Sequence, residues 1–595
     1  MSDWDSTAQA LEAALASPEG AGKPDIFRKA YERLSTTDPA PSIDVVRVYL
    51  ALVRHLFIWG NSFASEKLAS RAVALGRAIG EPKILARCLS IQGVMLAELE
   101  RHAEGVAAYI ESLRIAREAA DIHRQRSAWL NLGQSFFALE AYTAAQRCTE
   151  ITLSLTRPGC DDDEEREARA FALGNLGEIS LVFGRHEAGL AYVEEGLAVP
   201  TDNFDSNKVL NRATMFAVRA KHHIELGKIQ LAEQDIASGA ALGALSGSRG
   251  AVEIEFAQGL LDIAKGNRPV GLNRLHAAVE VTYTKVPGLT GRALVVLARA
   301  CAKAGMELEA EQAAGAYGRR IVEAQNAILL GLATDPRLPL DPWSARETSL
   351  SLAGMAQRSQ VPLEGFGEAG DVKVGSAGDV VQDLLDNLGL LTEQKLAPRM
   401  QDHGIRVGRI ARTIGRGAGL DEASLAAIER AASWHGIGFA AIPRFLLEGD
   451  GASQAKAERN SSLFGEQMLD GIDFETVKIA ARICRNRNCR WDGQGDAGQP
   501  MGQAIPFVAR LTAVADAFDM GLQSVPRAQA AEAARIAFRI VQASSGTHLD
   551  PELVGVLGSL VEALIVVPPE LERMIHPAAP KRRLVMPKEL GIDHP

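Results

Sequence analysis

The first 330 residues repeat themselves, and this periodicity constrains the fold more than any other feature of the chain. A turn residue recurs every 39 to 44 residues, at Gly60, Glu100, Glu140, Gly184, Gly227, Gly266 and Gly305. Glycine is favoured where a helix ends because it adopts positive φ without strain. Each period accommodates two helices and the turn between them, and one such pair cannot bury its apolar face alone. The sequence therefore predicts about seven stacked helix pairs, an α-solenoid.

Small residues occur where the helices of a pair are expected to cross. In the clearest example, Trp129, Leu132, Gly133, Phe136 and Ala145 follow one another at helical spacing. Leu132 and Phe136 share one helix face, and Gly133 and Ala145 permit close approach. This arrangement resembles the tetratricopeptide (TPR) repeat, with a longer period than its standard 34 residues. The resemblance implies a concave surface for a protein partner; the alternative is a solenoid that only positions the C-terminal domain.

Composition indicates a helical chain of ordinary polarity. The 595 residues are 47% hydrophobic, 23% charged and only 5% aromatic, and Ala and Leu, which favour helices, are abundant. A single hydrophobic core stops growing at about 250–300 residues, so at least two domains are expected. The six cysteines are scattered without a CxxC pair, which favours reduced thiols.

Charge and hydropathy argue against two classes of partner. The formal net charge of −10 disfavours bulk attraction to nucleic acid or to an anionic membrane. No apolar stretch approaches the roughly 20 residues that span a bilayer, and the N-terminus lacks the pattern of a signal peptide. We therefore expect a cytoplasmic protein that binds neither nucleic acid nor membrane.

Changes in composition along the chain predict five segments. They are a helical cap (1–40), a TPR-like solenoid (41–334), a linker (335–379), a second helical domain (380–567) and a tail (568–595). The linker is rich in Pro, Gly and Ser, and the tail is rich in Pro. The second domain keeps a helical pattern but loses the repeat. The predicted fold class is all-α, an α-solenoid followed by a globular helical domain.

Three segments of the second domain carry motifs. Residues 403–420 begin H-x-x-R-V, residues 431–447 contain W-H-G-I-G followed by I-P, and residues 490–519 contain R-W-D-G, I-P and two later aspartates. In this order they resemble the HD-GYP family, a subgroup of the HD metal-dependent phosphohydrolases, over roughly 170 residues. The resemblance implies a helical HD domain in a bacterial signalling protein, and active members act on cyclic di-GMP.

Enzymes of that family hold two or three metal ions, which polarise the phosphate and activate a water. The resemblance places ligands at His403, His435 and Asp516. At the other ligand positions stand residues that differ from the family: Gly436, Ser461, Arg487, Asn488 and Cys489. Gly436 replaces the Asp of the HD doublet, and arginine has no lone pair for a metal. The signature G-Y-P reads Gly495-Asp496-Ala497.

We therefore predict a non-catalytic signalling or scaffold protein without a cofactor. In this interpretation the solenoid binds a protein partner, and a metal-site-deficient HD-GYP domain serves as a docking or sensing module. The three remaining ligands are then buried remnants in a helical core.

Two alternatives stay open. Two histidines and a carboxylate can bind one divalent ion, which predicts a single-metal phosphodiesterase or phosphohydrolase. Arginine suits bidentate recognition of phosphate, which predicts a cyclic di-GMP receptor without turnover. The candidate ligand-binding residues for that receptor are Arg485, Arg487, Arg490, Asp492 and Arg510.

Overall fold

Helices form all of the regular structure in the part of the chain that the structure, a computed structural model, describes. The all-α prediction is therefore confirmed. The described residues are 3–15, 24–37, 39–58, 62–200, 206–243, 247–329, ten positions between 382 and 400, 402–525 and 530–563. The predicted linker (335–379) and tail (568–595) lie outside them. None of the described helices is long and apolar enough to cross a membrane.

The described chain divides into two compact units, and the division falls between Tyr317 and Gly318. This position lies inside a helix and before the boundary predicted at 334. The reason is local packing, because Gly318 lies against the ring of Phe464 and the carbonyl of Ala441 in the second unit. The two units are described separately.

The first unit begins with α1 (Asp3–Leu15) and α2 (Pro24–Thr37), followed by seven consecutive helix pairs, of which the last helix belongs to this unit only as far as Tyr317. The pairs are α3 Ile43–Ile58 with α4 Ser62–Ile79, α5 Pro82–Glu98 with α6 His102–Glu118, α7 Ile122–Ala138 with α8 Tyr142–Ser154, α9 Asp163–Val182 with α10 His186–Ala198, α11 Ser206–Glu225 with α12 Ile229–Gly243, α13 Gly247–Ala264 with α14 Arg268–Lys285, and α15 Thr290–Lys303 with α16 Glu307–Leu329. We call these seven pairs the repeat array.

The turns within the pairs lie where the sequence places them. The φ angle is positive at every described turn position: 59° at Glu100, 58° at Glu140, 65° at Gly184, 70° at Gly227, 88° at Gly266 and 72° at Gly305. Gly60 lies outside the described residues. The backbone N–H of the residue after each of these turns donates a hydrogen bond to a carbonyl near the end of the first helix. Arg101 N, for example, donates to Leu96 O at 2.9 Å. Left-handed turns therefore end the first helix of each of these pairs.

Glycines permit the helices of a pair to approach closely, as predicted. A Cβ atom at Gly133 would lie 3.0 Å from Thr149 Oγ1 and 3.4 Å from the carbonyl oxygen of Ala145. At Gly177, the corresponding atom would lie only 2.3 Å from Val193 Cγ2. The small residues therefore set the spacing within the pairs.

The second unit is a globular helical domain without visible repeats. Its helices are α17 His403–Gly417, α18 Glu422–Ser433, α19 Arg444–Leu447, α20 Gly451–Leu469, α21 Glu475–Asn486, α22 Phe507–Ser524, α23 Ala530–Ala543 and α24 Pro551–Glu562, with 3-10 turns at Ile437–Ala441 and Gly502–Ala504. Aspartates accept backbone N–H bonds at the starts of three of these helices: Asp421 at α18, Asp450 at α20 and Asp550 at α24. The core helix α22 buries Leu511, Val514, Phe518 and Leu522.

Candidate metal and ligand site

Three elements far apart in sequence supply the candidate metal ligands. His403 is the first residue of α17, directly after Asp402, whose φ is 57°. His435 lies two residues beyond the end of α18, and Asp516 lies in the middle of α22. The structure therefore brings together the three residues that the sequence singled out.

The ligand atoms of these residues converge on one point. One atom from each of His403, His435 and Asp516 can be chosen so that all three lie within 4.8 Å of one another. His403 Nε2 is 3.2 Å from one carboxylate oxygen of Asp516, and His435 Nε2 is 3.8 Å from the other. Both histidines are buried. We call these three residues the triad.

Hydrogen bonds orient both imidazole rings. His403 Nδ1 lies 2.8 Å from Asp519 Oδ2, and His435 Nδ1 lies 2.8 Å from the carbonyl oxygen of Ala432. With Nδ1–H donating in each case, both Nε2 atoms face Asp516. Asp519 is fully buried and accepts two bonds from Arg406, at 2.6 and 3.0 Å. Metal-binding histidines are commonly held in this way by a carboxylate or a carbonyl.

The environment shifts the three pKa values in different directions. Burial opposes charge on His403, but hydrogen bonds to Asp516 and Asp519 outweigh it and raise its pKa to about 9. Burial lowers the pKa of His435 to about 4. Burial also opposes ionisation of Asp516, yet the hydrogen bond from His403 and the nearby cations hold its pKa below the usual range. His403 and Asp516 thus form an ion pair, and a metal ion would have to displace the proton of His403.

The donor set of the triad fits one divalent ion. Two imidazole nitrogens and a carboxylate suit a transition ion with open positions, which would supply Lewis acidity to a bound phosphate. Among the described residues, no other group of three or more His, Cys, Asp or Glu converges in this way. A Cβ atom at Gly436 would meet only Phe439 Cδ2, at 3.9 Å, so this position offers space and no ligand.

Ser461 and Asn488, which stand at two further ligand positions of the family, make local hydrogen bonds. The hydroxyl of Ser461 donates to Glu458 O at 2.8 Å. The amide of Asn488 donates to the same carbonyl at 2.8 Å and to Ser462 Oγ at 2.9 Å. The Ser461 bond lies within α20, whereas Asn488 ties α20 to the segment after α21.

Arg487 places a positive charge beside the triad. Its Cζ lies 4.6 Å from the centroid of the Phe439 ring, and its Nη2 lies 3.7 Å from Glu458 Oε2. Its Nη1 is buried and has no hydrogen-bond partner among the described residues. The charge of Arg487 lowers the pKa values of both His435 and Asp516. One edge of the guanidinium is therefore left for an additional acceptor.

A cavity of about 480 Å³ opens beside the triad. His435 and Asp516 line it, together with Arg487, Arg490, Asn488, Thr512 and His548. This volume falls within the usual range of small-molecule sites, about 300–1,000 Å³. Arg487, Arg490 and Asp516 are the arginines and the carboxylate of the wall, and Asp492 outside the cavity pairs with Arg490.

Only part of the predicted ligand-binding set reaches this cavity. Arg487 and Arg490 line it, but Arg485, Asp492 and Arg510 do not. Each of these three residues instead pairs with another side chain. Arg485 pairs with Glu466 at 2.5 Å, Arg510 pairs with Asp550 and donates to Ile505 O, and Asp492 holds Arg490 through bonds of 2.9 and 2.6 Å. Ligand binding by the predicted set stays a prediction, and within the set Arg487 keeps a donor without a partner among the described residues.

Sequence reasoning assigned no role to three residues that shape the site. Arg406 and Asp519 stand in the recognised motifs, and only the structure shows that together they orient His403. Glu393 carries no local signal at all. Its Oε1 accepts a 2.6 Å bond from Gly404 N at the start of α17, its Oε2 is buried without a partner among the described residues, and burial raises its pKa to about 7.

Comparison with known proteins supports the assignment of this unit. Residues 388–553 match the sequence model of the HD domain family. The chain is 31% identical over 155 residues to the cyclic di-GMP phosphodiesterase response regulator RpfG of Xanthomonas campestris, and 28% identical over 179 residues to a cyclic di-GMP phosphodiesterase of Thermotoga maritima. It is 29% identical over 167 residues to the 3'3'-cGAMP-specific phosphodiesterase 2 of Vibrio cholerae.

The match covers 26% of this chain and 41% of the Xanthomonas protein, and 30% of this chain and 48% of the Thermotoga protein. For the Vibrio protein the match covers 27% of this chain and 31% of the relative. The chain thus spans less than half the length of each. The C-terminal region contains an HD domain homologous to cyclic-dinucleotide phosphodiesterases.

Proposed function

We propose that this protein is a signalling protein whose HD domain binds a cyclic dinucleotide without hydrolysing it. Arg487 carries the proposal, because its cationic side chain lies next to His435 and Asp516 with one donor facing no acceptor in the described chain. Hydrolysis by a pair of metal ions needs ligands for both. A guanidinium at this place repels a second cation and attracts a phosphate.

The cavity supports this ligand class on charge and size. It holds two arginines against one carboxylate, and its volume of about 480 Å³ suits a ligand of nucleotide size. The relatives named above act on cyclic di-GMP or 3'3'-cGAMP. If the domain binds a ligand of this class without cleaving it, the domain acts as a sensor of cyclic dinucleotides.

In this proposal the residues of the chain bind and orient the ligand. The guanidinium of Arg487, which lines the cavity, donates to a phosphate oxygen, and its stacking on Phe439 keeps it in place. Asn488 and Thr512 form neighbouring parts of the wall. The triad holds one divalent ion at the edge of the cavity, where the ion strengthens binding of the anion. The repeat array receives the protein partner, as its helix-pair architecture suggests.

Calorimetry with cyclic di-GMP and 3'3'-cGAMP tests the proposal on the full-length protein with Mn²⁺ present. We expect binding of at least one of them, at least tenfold weaker in Arg487→Ala and unchanged in Arg485→Ala, the matched control outside the cavity. Chromatography of the incubated nucleotide is expected to show no linear product. Absence of binding heat for both nucleotides contradicts the proposal.

A single-metal phosphodiesterase is the second candidate, and the orientation of the two histidines favours it. Both Nδ1 atoms have acceptors, so both Nε2 atoms are available to a metal. The same incubation separates the two candidates. The enzyme is supported if cleavage depends on metal, disappears in His435→Ala and accompanies about one bound ion per wild-type chain. This result excludes a receptor that binds the nucleotide without hydrolysing it.

A further inference from the structure

Four glutamates from distant helix pairs meet one short segment of the first unit. Glu98 and Glu100 belong to the end of α5 and its turn, Glu178 belongs to α9, and Glu253 belongs to α13. Each is at least nine-tenths buried. We call these four residues the acidic surface. Buried carboxylates are costly unless cations or N–H donors meet them.

The segment that meets them is residues 286–292, which we call the closing segment. It comprises the connection from α14 to α15 and the first three residues of α15. Its Arg292 lies 3.2 Å from Glu253 Oε1 and also pairs with Glu178. The backbone N–H of Gly291 donates to Glu100 Oε1 at 3.1 Å. The guanidinium of Arg292 lies 5.5 Å from the centroid of the Phe137 ring.

Glycine makes one of these contacts possible. A Cβ atom at Gly288 would lie 2.5 Å from Glu98 Oε2 and 3.0 Å from Glu98 Cα. The second contact is with backbone, which cannot move aside as a side-chain tip can. The closing segment therefore touches the acidic surface too closely for any larger residue at position 288.

These contacts are not those of ordinary stacking. In a repeat array each unit touches its neighbours along the chain. Gly291 and Glu100 are 191 residues apart, and Arg292 and Glu178 are 114 residues apart. The seventh pair thus reaches the second, fourth and sixth pairs.

We propose that the closing segment is an autoinhibitory strap that masks a receptor surface of the repeat array. The acidic surface takes a basic partner segment, one that presents an arginine and a backbone N–H, as the closing segment itself does. While the closing segment is in place, Arg292 pairs with Glu178 and Glu253, and Gly291 N–H donates to Glu100, so the acceptors that such a partner needs are occupied. Two of the glutamates also have cations of the array as partners, Glu98 with Arg249 and Glu253 with Lys221. This inference rests on the partner-binding role proposed above for the array.

A labelled peptide copying residues 286–303 serves as the probe, and fluorescence anisotropy with the full-length protein measures its binding. Gly288→Ala displaces the closing segment by steric overlap, and Arg292→Ala removes its charge. We expect both variants to bind the peptide at least tenfold more tightly than the wild type does. Binding is expected to weaken with added salt and to fall when the peptide carries Arg292→Glu.

Lys303→Ala is the matched control, because Lys303 is an exposed basic residue of α15 that pairs with Glu225 at 3.2 Å. It is expected to behave like the wild type. Amide hydrogen exchange of residues 286–292 reports release of the closing segment, and circular dichroism reports whether each variant stays folded.

Each outcome decides the matter. Equally tight binding by wild type and variants overturns the masking role but leaves the array as a receptor. Alternatively, a variant stays folded, shows faster amide hydrogen exchange in the closing segment and still does not bind the peptide. In that case the acidic surface is not a receptor, and the inference is overturned. Neither result bears on nucleotide binding by the HD domain.

Discussion

At the scale of single residues, the triad depends on side chains that are not themselves ligands. Asp519 is fully buried, and its carboxylate accepts hydrogen bonds from both His403 and Arg406. Asp516 and Asp519 are three residues apart on α22, so they share a helix face and reach the two nitrogens of the same imidazole. The orientation of His403 is therefore set by a buried carboxylate that the cavity does not expose.

Replacing Asp519 by Asn tests this role. Arg406 then loses the buried carboxylate that accepts two of its hydrogen bonds, so we expect the free energy of unfolding to fall by about 3 kcal/mol. Metal affinity is expected to fall about 10- to 100-fold because the ring of His403 loses its anchor. Urea denaturation and metal titration measure the two effects.

The matched control is Asp473→Asn, which removes an exposed carboxylate paired with Lys478 at 2.5 Å. Solvent screens an exposed ion pair, so this variant should stay close to the wild type. Similar losses in both variants would mean that the buried network is unimportant.

At the scale of elements, the helix pairs depend on backbone conformation at their turns. Gly184 has a φ of 65°, and a Cβ atom there would meet nothing within 4 Å. Glu100 and Glu140 adopt the same conformation with a side chain present. The turn therefore needs the left-handed conformation and not extra space.

Gly184→Ala isolates this requirement. Since no contact is affected, we expect a loss of about 1–2 kcal/mol that comes from the left-handed backbone alone. Gly555→Ala is the control: Gly555 lies inside α24 with open space around its Cβ position, so the same substitution should stabilise by about 0.5–1 kcal/mol. Thermal unfolding distinguishes them, and a stabilising effect at Gly184 would contradict the argument.

At the scale of the whole molecule, the described chain forms two compact units. The triad and its cavity lie entirely in the second unit, and the acidic surface lies entirely in the first. A ligand stabilises only the folded unit that binds it. Metal and peptide should therefore act on different unfolding transitions.

Calorimetry with Mn²⁺ tests this separation. At about 100 times its dissociation constant, the ion should stabilise the second unit by about 2.7 kcal/mol and leave the transition of the first unit in place. His435→Ala should abolish the shift. If both transitions move together in the wild type, the two units unfold as one.

The sequence alone determined the period, the helix pairs and the three candidate ligands, because these depend on local order along the chain. Turn residues recur at fixed spacing, and the motifs around His403, His435 and Asp516 are contiguous. The TPR resemblance and the position of the linker stay predictions.

Only the tertiary structure decided which charges remain available. Arg485 and Arg510 look like phosphate ligands in the sequence, yet they pair with Glu466 and Asp550. Arg487 keeps one donor without a partner in the described part of the chain. The contact of Arg292 with Glu178 was likewise invisible, since 114 residues separate the partners. Ion pairs form between residues that folding brings together, and no local pattern encodes that distance.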